Sequence, residues 1–303
     1  MTGLILGLAA LGNLIQSYSG AFRSILGLIS GLLLVLIIAK LIAYPAQVKE
    51  ELTNPVVASV FPTFSMAIMV LSTYLKPFSS SFAFGIWVIG IVLHALLILW
   101  FTKQFVLNFN IKKVFPSWYI VFVGIVVGSV TANAHGMENI GQTAFWFGFV
   151  AYLILICLIL YRVLKVKEMP EPTLPCLTIL AAPGSLCLAG YMNSFPEKSI
   201  GMVYLLMAFS LIFYIVAIAL LPKLLKLKFY PSYSAFTFPM VISGIGIKLA
   251  NGFLVKSNMA IPFLKYVVNF EELVATVLTL YVLVRYVNFL FPAIISKSAE
   301  QRA

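Results

Sequence analysis

Residues 22–43 read FRSILGLISGLLLVLIIAKLIA, and residues 82–101 read FAFGIWVIGIVLHALLILWF. Both runs are continuously apolar rather than alternating, and each has about the 20 residues that one helical crossing of a bilayer needs. Residues 144–161 and 202–221 repeat the pattern. Inside hydrocarbon every backbone donor and acceptor needs an internal partner, which leaves helices or a closed barrel. Barrel strands are about half as long, with every second residue polar. The runs therefore predict an all-α integral membrane protein.

Composition agrees. Of 303 residues, 62% are hydrophobic and 10% charged, and the mean hydropathy is +1.07. Soluble domains carry about 25% charged residues, so the apolar surplus here must face lipid. The first apolar run starts at Gly3, after no basic stretch and before no small-residue cleavage site, which predicts that it is not a removable signal. Cys157, Cys176 and Cys187 all lie in apolar runs. The last two stand about 16 Å apart on one predicted helix, beyond disulfide reach, and all three read as small lipid-buried residues.

Ten spans are predicted, at about 2–17, 21–43, 55–75, 80–103, 115–134, 141–163, 173–194, 199–222, 231–253 and 262–290, forming a single transmembrane domain over 1–303. The connectors after even spans and the tail carry Lys40, Lys49, Lys103, Lys112, Lys113, Arg162, Lys165, Lys167, Lys223, Lys226, Lys228, Lys297 and Arg302. Those after odd spans carry only Arg23, Lys76, Lys198, Lys256 and Lys265. The positive-inside bias then places both termini in the cytoplasm. Lysines beside anionic headgroups account for the net charge of +11 without a nucleic-acid partner.

The odd spans share an unusual make-up. The third begins Phe61-Pro62-Thr63-Phe64-Ser65-Met66, and the fifth carries Phe115-Pro116-Ser117-Trp118, then Gly124 and Gly128. The seventh holds Ala182-Pro183-Gly184-Ser185, and the ninth holds Phe236-Thr237-Phe238-Pro239-Met240, then Ser243, Gly244 and Gly246. The first has Gly3, Gly7 and Gly12. Proline kinks a helix, and small residues admit close approach or leave an open axis. The pattern predicts inner helices kinked at Pro62, Pro116, Pro183 and Pro239 around a central path, with Gly7, Gly128, Gly184 and Gly244 lining it. Five plainer helices would face lipid. Taken singly, any of these glycines reads more readily as helix packing.

These segments, with Gly3-Leu4-Ile5-Leu6-Gly7-Leu8 and the run from Ala182 to Tyr191, resemble the tellurite-resistance/dicarboxylate transporter family. That family includes yeast malate and sulfite transporters and the slow-type anion channels of plant guard cells. The resemblance touches all five odd spans. It implies five helical hairpins around a quasi-five-fold pore, a homotrimer in a plasma membrane (here a bacterial inner membrane), and passive passage of small inorganic or organic anions. It also implies a phenylalanine gate on the ninth span. Phe238 is the matching residue and Phe236 the rival, since two positions on one helix differ by about 200°.

Lys248 stands about 15 Å beyond Phe238 along a helix. It reads as an anion-attracting intramembrane charge or as a snorkelling lysine. Arg23, in the first outer connector, reads as a second attractor or a solvated loop residue. Glu271, Glu272 and Arg285 read as pairing with neighbouring helices. His94, in an even span, and His135, in an outer connector, form no cluster. No metal-ligand spacing, nucleophile elbow or phosphate loop occurs, so neither an enzyme nor a metal or cofactor is expected. A passive anion channel or uniporter leads. Its competitor is a proton-coupled carrier of small dicarboxylates or oxyanions, which needs a titratable group at mid-membrane, and the odd spans offer only Lys248.

Overall fold

The computed structural model of the chain describes residues 1–300, with side chains described through residue 290. The Lys297 side chain and Arg302 lie outside the described residues. The helices are α1 (Thr2–Ile15), α2 (Gly20–Ala43), α3 (Pro45–Glu51), α4 (Pro55–Val60), α5 (Thr63–Leu75), α6 (Ser80–Phe101) and α7 (Trp118–Phe122). They continue as α8 (Val126–His135), α9 (Glu138–Tyr161), α10 (Ala182–Ser194), α11 (Ile200–Leu224), α12 (Phe238–Lys256) and α13 (Leu264–Glu300). No strand occurs among the described residues.

Nine stretches among the described residues are long and apolar enough to cross a bilayer. The tenth expected span, α1, has 14 residues and rises about 21 Å, less than the roughly 30 Å of hydrocarbon. It is instead buried inside the protein along almost its whole length. Polar side chains mark several starts: Ser19 Oγ accepts from Ala21 N at 3.2 Å before α2, and Asn54 Oδ1 accepts from Val56 N at 2.9 Å before α4. Such caps satisfy amides that the first turn leaves free. Gly136, with φ +66°, ends α8 in the left-handed conformation that glycine adopts at least cost. The connector helix α3 and the extension of α13 beyond residue 290 were not anticipated from the sequence.

Burial sorts the helices. Only 17% of the most apolar window of α2 is buried, against 89% for Glu171–Ser194. Leu28, Leu32, Val35 and Leu36 on α2 are exposed, as are Val150 and Ile154 on α9 and Leu273, Val277 and Val284 on α13. An apolar belt of this extent is a lipid-facing surface. The chain is a multi-pass membrane protein. α1, α5, α8, α10 and α12 pack against the long helices that follow them, α2, α6, α9, α11 and α13. Contacts also run from α1 to α5, to α8, to α10, to α12 and back to α1.

Four of the buried spans are broken in mid-course. α4 gives way to α5 at Phe61-Pro62, and a turn at 123–125 separates α7 from α8. The tighter 3₁₀ winding of Glu171–Ala181 changes to α10, and that of Pro231–Phe236 changes to α12. Pro183 and Pro239 stand in the first turn after such a change, where a missing N–H removes no helical bond. Pro62 precedes α5 directly, and Pro116 lies two residues before α7.

Candidate functional site

The break in the ninth span is built by Thr237. Its backbone, at φ −91° and ψ −83°, leaves the helical pattern between the 3₁₀ segment and α12. Its hydroxyl lies 2.8 Å from Ser234 O and 3.1 Å from Gly3 O, tying the break to α1. The expectation that a continuous helix turns about 200° between Phe236 and Phe238 is therefore corrected, because the two residues sit on different helical segments.

Phe238 borders two cavities at once. One, about 50 Å³, is lined by residues including Thr63, Met66, Ile120, Gly124, Ile179 and Pro183, and by no charged side chain. The other, about 480 Å³, is lined by residues including Asn13, Arg23, Thr73, Asn133, Asn193 and Lys248. Phe238 is the one residue common to both linings. A third cavity, about 260 Å³, reaches Lys40, Glu51 and Phe61 and shares Val60, Ser232 and Ser234 with the small one. Phe236 borders none of the three; it is fully buried, with its ring 4.8 Å from that of Tyr233.

Both expected cations line the larger cavity. Arg23 is not a loop residue: it stands in the first turn of α2. Its Nε donates to Asn13 Oδ1 at 2.8 Å, Nη2 donates to Thr73 O at 3.0 Å, and the guanidinium lies 4.2 Å from the Tyr74 ring centroid. Lys248 donates to Glu272 Oε1 at 2.5 Å, to Ser17 Oγ at 2.8 Å and to Leu14 O at 3.1 Å. Tyr18 OH donates to the other oxygen of Glu272 at 2.6 Å. Arg285 lies over the rings of Phe229, Tyr233 and Tyr281.

The glycines expected along the path are placed elsewhere. Gly7 faces Thr237, Gly128 faces Ile91, Gly184 faces Phe209, and Gly244 faces Leu14. None of the four borders these cavities, whereas Gly3 and Gly124 do. The reason is close helix approach, in which the absent Cβ makes room for a neighbouring helix. The cysteines are free; Cys157 is exposed on the lipid face, while Cys176 and Cys187 are buried within the protein. Cys176 falls in the 3₁₀ segment and Cys187 on α10, so they do not share one helix.

His94 is a packed residue: Nε2–H donates to Val121 O at 3.0 Å, and Nδ1 lies 2.8 Å from Ser65 Oγ. It joins α6 to the breaks of the third and fifth spans. His135 ends α8 rather than lying in a connector, with Nε2 3.0 Å from Ser72 Oγ. No group of three or more His, Cys, Asp or Glu side chains suited to a metal occurs among the described residues.

On the Lys-rich connectors, Lys112 Nζ lies 2.8 Å from Glu168 Oε2 and holds that carboxyl below its ordinary value. The buried Arg162 donates to carbonyls of Lys112, Lys167 and Glu168, clamping the two connectors together.

The family described as "Voltage-dependent anion channel" matches residues 1–287. An "Uncharacterized transporter" of Methanocaldococcus jannaschii is 27% identical, covering 77% of this chain and 74% of that protein. A second from the same organism is 24% identical, covering 72% and 68%. With the match running through every span, from α1 to most of α13, the chain belongs to the voltage-dependent anion channel family of membrane channels and transporters.

Proposed function

We propose that the chain passes small anions passively along a path through its five hairpins, with α1, α5, α8, α10 and α12 inside and Phe238 as the gate. The observation that carries this reading is the position of Phe238 between the small and the large cavity. The three cavities lie in series through shared linings; the small and large ones are lined almost wholly by α1 and the four broken spans, and the third also by Lys40 of α2 and Glu51 of α3. An uncharged waist with cations at a wider mouth suits weak binding and fast exit of an anion, where a deep counter-charge would trap it. Arg23 and Lys248 are the attracting charges in this reading. By the distribution of lysines, the large cavity opens outward and both termini face the cytoplasm. The broad apolar faces would serve for both lipid and a homotrimer contact.

Purified protein in liposomes, recorded under chloride, nitrate or malate gradients, tests the reading. The reversal potential follows the anion gradient and stays fixed when a pH gradient is imposed. A reversal potential that tracks the pH gradient would establish the proton-coupled carrier instead.

A further inference from the structure

Glu271 is fully buried, and neither of its carboxyl oxygens has a hydrogen-bond partner among the described residues. Its neighbour Glu272 is fully engaged by Lys248 and Tyr18, so Glu271 is the intramembrane carboxyl left over. Leaving an isolated ionised carboxylate in such a place is far costlier than neutralising it.

The surroundings say how it is neutralised. Ser185, Ser210 and Ser243, from α10, α11 and α12, form a buried hydroxyl chain leading toward Glu271. Ser185 Oγ donates to Ala181 O at 2.7 Å. A hydroxyl has one proton, so across the 2.8 Å contact Ser210 must donate to Ser185. Ser243 Oγ lies 3.5 Å from Ser210 Oγ, too far to commit its proton there. The Ser243 hydroxyl, which stands beside the Glu271 carboxyl, can give a proton to a carboxylate or accept one from a carboxylic acid. That single hydroxyl leaves an ionised carboxylate in this buried place mostly unsatisfied, whereas the acid needs only Ser243 as its acceptor.

The other ionisable groups around Glu271 do not replace that proton. From α12 comes Lys248, committed to Glu272. From α11 comes Tyr214, whose buried hydroxyl also has no partner among the described residues. α1 carries no titratable side chain. In segment 231–236, Tyr233 packs with Phe229 and Arg285, toward the opposite end of α13.

We propose that Glu271 is a proton-binding site and that its proton sets how readily anions pass. The step is simple: a carboxylate oxygen takes a proton from hydronium, releasing water, and the acid then donates to Ser243 Oγ, pinning α12 against α13. This rests on the reading of Phe238, at the start of α12, as the gate. With the proton on, α12 is held and the path is closed. With it off, the carboxylate seeks water or cations, the helix contact loosens and the path opens.

The test combines liposome anion flux over an acid-to-alkaline series with infrared spectra, for wild type and Glu271→Gln. Wild-type flux rises about fivefold or more toward alkaline pH, the low end of ordinary coupling between two sites. Glu271→Gln stays at the acid level throughout. The wild-type spectrum shows a protonated-carboxyl C=O band that fades as flux rises and is missing from the variant. This band is read on wild type alone should the variant fail to fold. A flat wild-type profile, or a variant that keeps the full pH response, overturns the proposal. So does stabilisation of wild type by sodium without a protonated-carboxyl band, which would make the site a cation site. Failure of the passive reading is separate, because it shows in the reversal potential rather than in flux magnitude or the infrared band.

Discussion

Thr237 packs its side chain onto the backbone of Gly7, at the point where the ninth span breaks. A Cβ on Gly7 would stand 2.6 Å from Thr237 Cβ and 3.3 Å from Phe238 N. Thr237 has little freedom to retreat, because its hydroxyl is held between Ser234 O and Gly3 O. The contact therefore fixes the place from which Phe238 projects. Gly7→Ala is expected to cost about 1–3 kcal/mol through overpacking and to raise basal anion flux by displacing the start of α12. Thermal unfolding in detergent and liposome flux check this; wild-type values in both would contradict it.

Lys248 and Glu272 form a pair whose carboxyl is much more buried than its ammonium, at 6% and 33% exposure. Lys248→Gln strands Glu272 with only Tyr18, and a loss of about 3 kcal/mol is expected, the low end for breaking a buried pair. Adding Glu272→Gln should restore most of that stability. Both variants should lose more flux at low salt than at high salt, since attraction at a cavity mouth is screened. Flux that is unaffected at every ionic strength would remove Lys248 from the path.

Phe236 is an anchor, packed on Tyr233 and bordering none of the described cavities. Phe236→Leu should lower the unfolding temperature and leave anion flux at the wild-type level. A flux increase would transfer the gate to Phe236.

The spans were legible because lipid imposes a simple rule on long runs: continuous apolarity and a length near 20 residues. Three of the four breaks lie close to a proline visible in the sequence, Pro62, Pro183 and Pro239, whereas the turn at 123–125 falls seven residues past Pro116. What lay beyond reach depends on neighbours far along the chain. Arg23 reads as a loop residue until Asn13 and Thr73 are seen to receive it. Glu271 and Glu272 are adjacent and alike in sequence, yet Glu272 meets Lys248 and Glu271 meets no partner among the described residues. Gly3 and Gly124 could not be told from Gly7 and Gly128, because a glycine shows no direction until its helix is docked. The 3₁₀ winding before Thr237 decides how Phe236 and Phe238 are related, and it has no periodic signature in so short a segment.

The most direct measurement is electrical recording of wild type and Phe238→Ala in planar bilayers under a chloride or nitrate gradient. The account predicts a small anion-selective current for wild type and a much larger one, of the same selectivity, for Phe238→Ala. A folded Phe238→Ala protein with current no greater than wild type, or with cation selectivity, would contradict it.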